Sequence, residues 1–453
     1  MNHPKSSIGR TFIVRARACV FWLILLVALF MRVFAAVDTF VDHPFRADAR
    51  DYVSYAYHLH HHGVYSRQPL FLTAPSLHPD ALRVPGYPLF LVAFIDSTPD
   101  LRFIERVSIA QALLGVLAVV LTFFLARQLV GPALALAPTM LIAVSPHHIS
   151  FATLLLSESL FTFLLLLGVG SVVLAILHPR HMLSMGIAAG VLFGCCALVR
   201  PTIQYVWVIA LFAPLVLPRR GTVVKWAAMF IMGFALAFGP WIIRNYISVG
   251  VAGDPTLTIS TILDGSYPDF MYQGRPETLY HPYRFDPHAG EYGGSLRAVI
   301  AHLLNEFWAH PARMLRWYLI GKPLNFFSWY VGDNPHPFLQ YPVIMSPYVQ
   351  GDLLFSATAL GSRLLHPILI VLGCAGSLLV WLPNAARWGI SEPAQRIGRV
   401  CSILIAYFLA VHVVGEPLGR YSVPLTPILY SMAFVAILWR ASRLSSRLET
   451  GGA

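Results

Sequence analysis

Residues 20–37, VFWLILLVALFMRVFAAV, are apolar over nearly a bilayer's thickness, and the polar segment beyond them opens with Asp48-Ala49-Arg50-Asp51-Tyr52. A membrane span needs roughly 20 apolar residues, so the run predicts a transmembrane helix. Ionisable groups beside hydrocarbon are costly, and a cluster of them at a membrane surface marks a functional site. On a helix, Asp48, Asp51 and Tyr52 stand at i, i+3 and i+4 and share one face. The competing reading is a plain helix start, with Asp48 as N-cap and Arg50 and Asp51 in a solvated first turn.

The rest of the chain is built like that first run. Its 453 residues are 57% hydrophobic and only 12% charged, with a mean hydropathy of +0.65. Soluble domains carry roughly 25% charged residues, so the composition predicts an all-α polytopic membrane protein. About ten transmembrane helices are expected, near 18–37, 104–129, 132–148, 155–177, 182–199, 203–218, 222–243, 362–383, 398–415 and 422–440. A net charge of +11 could point to nucleic acid, but Lys and Arg fall in short gaps between apolar runs. Lys5, Arg10, Arg15, Arg17, Arg127, Arg180, Arg219, Arg220, Lys225, Arg387, Arg396, Arg399 and Arg440 occupy alternate gaps, the positive-inside pattern, which predicts both termini in the cytoplasm. The first run is long for a signal peptide and lacks a small-residue cleavage site, so it is expected to be retained. All five cysteines fall in apolar runs without metal spacing.

Three parts follow. Residues 1–243 form an N-terminal transmembrane module that includes a first outer loop, 38–103. Residues 244–361 form a second outer loop region with interfacial helices, and 362–453 a C-terminal transmembrane module. The apolar stretch Leu89 to Ile95 is too short to span and is expected to be interfacial or re-entrant. Within the second loop, Leu296, Ile300, Leu303, Leu304, Phe307 and Trp308 recur at helical spacing, predicting an amphipathic helix on the membrane over 296–320.

Both loops face the side opposite the positive gaps, and polar residues gather there. Glu158, in Leu156-Ser157-Glu158-Ser159, begins a span; a carboxylate there complements the helix dipole. Together with Asp48 it can also hold a divalent cation or act as a base. Arg83, Arg200, Arg244 and Arg420 border the same face, where the positive-inside bias makes arginine unexpected. Snorkelling explains any one of them, whereas four together point to phosphate, which the guanidinium fork binds in a bidentate manner. Lys322 is a further candidate. His58, His61 and His62 share a helical face suited to metal, although interfacial histidine is the commoner arrangement and no His-Glu-x-x-His pattern occurs. There is no nucleotide loop, Ser-His-Asp series or nucleic-acid motif, so an activated donor would be lipid-linked and met at the membrane.

The order of these motifs resembles a known class. One span is followed by Asp-Ala-x-x-Tyr, then Arg83-Val-Pro-Gly-Tyr-Pro, Ser-Glu158, Leu-Val-Arg200-Pro, Pro-Trp-Ile-Ile-Arg244-Asn-Tyr and Arg420-Tyr-Ser-Val-Pro-Leu-Thr-Pro. The chain resembles the GT-C integral membrane glycosyltransferases, in particular bacterial relatives of dolichyl-phosphate-mannose protein mannosyltransferases and lipid A aminoarabinose transferases. The resemblance covers about residues 18–440. It implies inverting transfer of a sugar from a polyprenyl-phosphate donor to a lipid, glycan or protein acceptor, on the outer face of the bacterial inner membrane. Asp48 maps to the base or acceptor-orienting acid, Glu158 to a second acid, and Asp51 stands where it can assist. Many relatives carry two adjacent acids, whereas here Ala49 follows Asp48. Arg83, Arg244, Arg420 and Lys322 are the donor-phosphate candidates. No metal ligand set and no cofactor is assigned, and a divalent cation is left open.

Other classes predict other patterns. A transporter would carry mid-span charge or paired repeats, whereas these spans are nearly free of charge and no repeat is present. A surface-polysaccharide polymerase or ligase shares lipid-linked sugar and outer arginines, but the early Asp-Ala-x-x-Tyr favours the transferase. A non-catalytic scaffold would leave the converging acids and arginines without a purpose.

Overall fold

The computed structural model describes residues 5–72, 76–217, 220–332, 334, 336–383 and 389–450. Arg219 and Arg387 of the charge pattern lie outside the described residues. Among the described residues, eight helices are long and apolar enough to cross a membrane. They lie within α1 (Lys5–Asp38), α4 (Leu101–Val130), α7 (Glu158–Leu177), α8 (Met182–Val199), α10 (Val223–Val249), α16 (Leu353–Leu379), α17 (Glu392–Val414) and α18 (Thr426–Thr450). The ten-span layout differs at two places. Residues 132–148 form α5 (Leu136–Ala143), which stops before Ser145-Pro146 starts α6 (Pro146–Ala152). Residues 203–218 form a 3₁₀ segment, Val206–Phe212, and the single turn α9 (Ala213–Val216). Proline removes an amide donor and obstructs the preceding turn, so Pro146, Pro201 and Pro214 keep these stretches from joining into long helices.

Helix ends that meet at one end of the bundle carry the polar segments. After α1, β1 (Phe40–Val41) pairs antiparallel with β2 (Val343–Met345), with Phe40 opposite Met345 and Val41 opposite Val343. The chain then enters α2 (Ala47–His62) and α3 (Gly86–Val92), whose Tyr87, Pro88 and Leu91 are buried. Leu89 to Ile95 is thus a short packed helix, not a span. Between α10 and α16 lie α11 (Thr256–Ser266), α12 (Ala289–Tyr292), α13 (Leu296–Ala309), α14 (Pro311–Arg316) and α15 (Lys322–Phe326). The amphipathic helix expected over 296–320 is real but broken at His310-Pro311. It leaves Trp308 86% and Leu319 71% exposed to whatever lies beneath. Trp317 anchors the segment by donating its indole N–H to Gly265 O at 2.9 Å, and His366 of α16 links Phe327 O to Tyr430 Oη of α18.

Van der Waals contact and interhelical hydrogen bonds hold helices together where hydrocarbon offers no hydrophobic gain. In α8, Gly186, Gly190 and Gly194 recur every fourth residue and face α10. A Cβ at Gly190 would stand 2.1 Å from Phe230 O, so only glycine allows the two backbones this approach. Arg32 of α1 does a different job. It is fully buried and donates to Ile142 O at 2.8 Å and Ala143 O at 2.6 Å, satisfying carbonyls that the end of α5 leaves open. A lone arginine inside an apolar run was the signal for it.

Replacing Gly190 with Leu forces α8 and α10 apart. Overpacking of this kind costs about 1–3 kcal/mol, read as a fall in the thermal unfolding midpoint in detergent. An unchanged midpoint would mean that the two helices do not touch there.

Candidate active site

The start of α2 settles the contest between cap and cluster. The N-cap position belongs to Arg46, no side chain caps the helix, and Ala47 lies at φ +43°, in the left-handed region. Asp48 is therefore free of any capping bond. Its Oδ1 accepts from Arg83 Nη2 at 2.8 Å and its Oδ2 from Arg420 Nη2 at 3.1 Å. One turn on, Asp51 Oδ2 accepts from Arg83 Nε at 3.2 Å and Nη2 at 3.1 Å. Glu158, the first residue of α7, offers Oε1 to Arg200 Nη2 at 2.6 Å and to Arg420 Nε at 3.1 Å. Arg200 Nε also donates to Ser157 Oγ at 3.0 Å.

Three carboxylates and three guanidiniums from five separate segments thus form one continuous network. Arg420 is its keystone, because it alone among the described residues pairs with both Asp48 and Glu158. The Glu158 side chain is 1% exposed and that of Asp48 24%, so Asp48 is the acid a ligand can reach. Burial by itself raises the Asp48 pKa, but the guanidiniums of Arg420, Arg83 and Arg200 outweigh it and hold the carboxyl below its ordinary value. Burial lowers the Arg83 pKa, and Asp48, Tyr52 and Asp51 more than reverse this.

The motif Arg83-Val84-Pro85-Gly86-Tyr87-Pro88 positions two parts of the network at once. A Cβ on Gly86 would lie 2.6 Å from Leu198 O, so α3 begins hard against the end of α8 that presents Arg200. Tyr87 donates to Gln111 Oε1 at 2.9 Å, and Gln111 Nε2 donates to Ala152 O at 3.1 Å and Leu154 O at 2.8 Å. Those carbonyls belong to the stretch leading into Glu158. Tyr52, the third member of the α2 face, packs edge-on to Tyr87 with centroids 4.9 Å apart.

Two phosphate candidates lie apart from this network. Arg244, at the end of α10, donates to Asp80 O at 2.7 Å and Tyr65 O at 3.4 Å, between the Tyr65 and Trp241 rings. Among the described residues no carboxylate lies within ion-pair distance of it. Lys322 is buried and donates to Val413 O at 2.7 Å and Gly415 O at 2.9 Å. Its ammonium therefore caps the end of α17, 3.7 Å from the Tyr318 ring centroid. Burial lowers its pKa to about 7. Nearby, burial raises Asp264 to about 7, and burial together with Asp264 raises Glu416 to about 7. Sequence reasoning singled out neither acid, since each is a lone carboxylate outside any motif, Asp264 within α11 and Glu416 in the loop after α17. Tyr421 Oη donates to Glu416 Oε2 at 3.4 Å, which ties this second group to the network beside Arg420.

Each carboxylate of the network already faces a guanidinium, and among the described residues no group of three His, Cys, Asp or Glu is arranged to hold a metal ion. His58, the buried member of the histidine face, directs Nε2 to Gln68 O at 3.0 Å.

No protein-family model and no curated protein matches the sequence. Solved structures do. Archaeal oligosaccharyltransferase AglB from Archaeoglobus fulgidus, in complex with an inhibitory peptide and a dolichol-phosphate, matches with a TM-score of 0.54 at 15% identity, over 97% of this chain and 52% of that one. The apo oligosaccharyltransferase of Archaeoglobus fulgidus gives 0.52 at 16%, over 96% and 52%. ArnT from Cupriavidus metallidurans bound to undecaprenyl phosphate gives 0.41 at 15%, over 97% and 79%. The chain spans about half the length of the oligosaccharyltransferases it matches. What is shared at these identities is the fold, the all-helical GT-C membrane architecture expected from the motif order.

Arg420→Met removes the bridge and strands two carboxylates. Breaking a buried pair costs about 3–5 kcal/mol. The acid limb moves as well. A depressed carboxylate stabilises the fold above its unfolded value of about 3.9, and that stability is lost as pH falls through the folded value. Without Arg420 the folded value of Asp48 rises, so acid unfolding begins at higher pH than in the parent protein. Unfolding midpoints measured from pH 3 to 7 check both effects, with Arg420→Lys intermediate.

Proposed function

We propose that the protein is a membrane glycosyltransferase that moves a sugar from a polyprenyl-phosphate donor to an acceptor, with inversion, on the non-cytoplasmic face of a bacterial inner membrane. The observation that carries this reading is a partly exposed carboxylate, Asp48, held between Arg83 and Arg420 at the end of a GT-C-fold bundle. The neighbouring fold solved with a dolichol-phosphate supports the donor class, and the alternating basic gaps support the orientation, with both termini cytoplasmic.

The geometry supports the following roles. With its pKa held down, Asp48 is ionised at neutral pH, so it accepts a hydrogen bond from the acceptor hydroxyl and orients the oxygen lone pair. That oxygen attacks the anomeric carbon from the side opposite the phosphate, the bond to the phosphate oxygen breaks, and the hydroxyl proton passes toward Asp48. Asp51 and Glu158 do not react. They fix the two arginines that flank Asp48, and preset charge of this kind avoids reorganisation during the reaction. Charge grows on the departing polyprenyl phosphate. Arg83 and Arg420, which face Asp48, meet it, and Arg244, apart from the network and free of any carboxylate among the described residues, adds a further cation toward the donor phosphate. Lys322 serves instead to fasten the 256–326 segment to α17. No step is routed through a metal ion.

The test is transfer by the full chain in lipid nanodiscs, using polyprenyl-phosphate sugars and following release of polyprenyl phosphate. Asp48→Asn is expected to lower kcat about 10²–10⁴-fold, the usual contribution of a positioned acid–base group; it also removes a depressed carboxylate from the network, so its rate is compared with the parent's well below its own, lower unfolding midpoint. Arg244→Ala raises the donor KM. A parent-like rate in Asp48→Asn would sink the assignment. In cells lacking the protein, the unspent polyprenyl-phosphate sugar accumulates and identifies the donor.

A further inference from the structure

Beside the network, α2 and the loop after it enclose an open cleft of ≈ 510 Å³, lined by Phe45, Arg50, Asp51, Ser54, Arg67 and Gln68 among others. Its loop wall is built firmly. Arg67 N donates to Asp80 Oδ2 at 3.0 Å, Gln68 Oε1 accepts from His78 N at 2.7 Å, His58 Nε2 meets Gln68 O at 3.0 Å, and Arg244 reaches Tyr65 O. Two guanidiniums therefore stand on different walls. Arg50, with a side chain 70% exposed, comes no closer than 3.6 Å to Asp51 Oδ1. Arg67 is exposed and, among the described residues, pairs with no carboxylate. The floor of the cleft is Asp51, whose other oxygen is bound by Arg83.

We propose that this cleft docks an acidic saccharide, one bearing a carboxylate or a phosphate. Binding pockets for small ligands commonly measure about 300–1,000 Å³, and this one offers three kinds of contact to such a ligand. The guanidinium of Arg67, and that of Arg50, which is mostly exposed and paired only loosely with Asp51 at 3.6 Å, meet the anionic group in bidentate geometry. Asp51, Ser54 and Gln68 take sugar hydroxyls, and Phe45 covers an apolar sugar face. A polyprenyl tail would gain nothing from the two charges. Arg83 connects the floor to Asp48, so a hydroxyl at that end of the cleft lies one helical turn from the acid assigned to transfer. Calling the saccharide the acceptor rests on the proposed function; its binding does not.

The experiment measures binding to the full chain in nanodiscs of neutral phosphatidylcholine. The probes are a glucuronate-containing tetrasaccharide, glucose 1-phosphate, and neutral maltotetraose. The acidic probes are expected to bind, and the one that binds better tells carboxylate from phosphate; maltotetraose is expected to bind about tenfold more weakly or not at all. In the double variant Arg50→Gln, Arg67→Gln, affinity for the acidic probes falls about tenfold or more, as loss of charge-assisted contacts requires, while the unfolding midpoint holds. Equal binding of maltotetraose, no binding of either acidic probe, or undiminished binding in the double variant would overturn the proposal. The two readings fail separately: no transfer by the parent chain from any polyprenyl-phosphate sugar removes the transferase and leaves the saccharide cleft, whereas parent-like binding by the double variant does the reverse.

Discussion

The guanidinium of Arg420 holds together what the rest of the fold brings near. It reaches back across most of the chain to Asp48 in α2 and to Glu158 at the head of α7. Two carboxylates brought this close, with one of them fully buried, would repel each other and be driven toward their neutral forms. With Arg83 and Arg200 completing the set, each carboxylate faces at least one guanidinium. The arrangement is costly to desolvate, and such costs are usually retained where geometry rather than stability is being specified. Here the geometry specified is that of Asp48, the partly exposed member of the set.

A bundle in a membrane has to let backbones approach closely enough for such a network to close. The glycines of α8 let α10 lie against it, and Gly86 lets α3 start against the end of α8. The same motif that supplies Arg83 therefore also sets the distance to Arg200 and, through Tyr87 and Gln111, steadies the approach to Glu158. Small residues and polar anchors divide the labour. The former set spacing, the latter fix register.

Much of this was legible in the sequence, residue by residue. Asp48 stood out because a charge beside an apolar run has few structural reasons to exist, Glu158 because it begins a span on the same face, and Arg83 and Arg420 because they lay on the side that positive charge avoids. Arg244 and Lys322 were visible by the same signal, yet they went elsewhere. Lys322 turned inward to the carbonyls at the end of α17, a destination that no local pattern encodes. Arg32 and the α8 glycine stripe carried recognisable signals, a charge inside a span and small residues at every fourth position, whose partners lie far away in the chain. Glu416 and Asp264 carried none, because what sets them apart is burial beside one another.

By itself the sequence determined the solvent of this protein. Apolar runs of bilayer length require helices, since only a helix satisfies its own backbone within hydrocarbon, and basic gaps and motif order pointed to the GT-C architecture. The tertiary structure alone decided which charges meet. Hydropathy depends on each residue and its near neighbours, whereas an ion pair depends on separation in space. Asp48 and Arg420 lie at opposite ends of the chain, and only the packing of the helices between them makes them neighbours. The same packing turned Asp48 from a prospective helix cap into a carboxylate held between two guanidiniums.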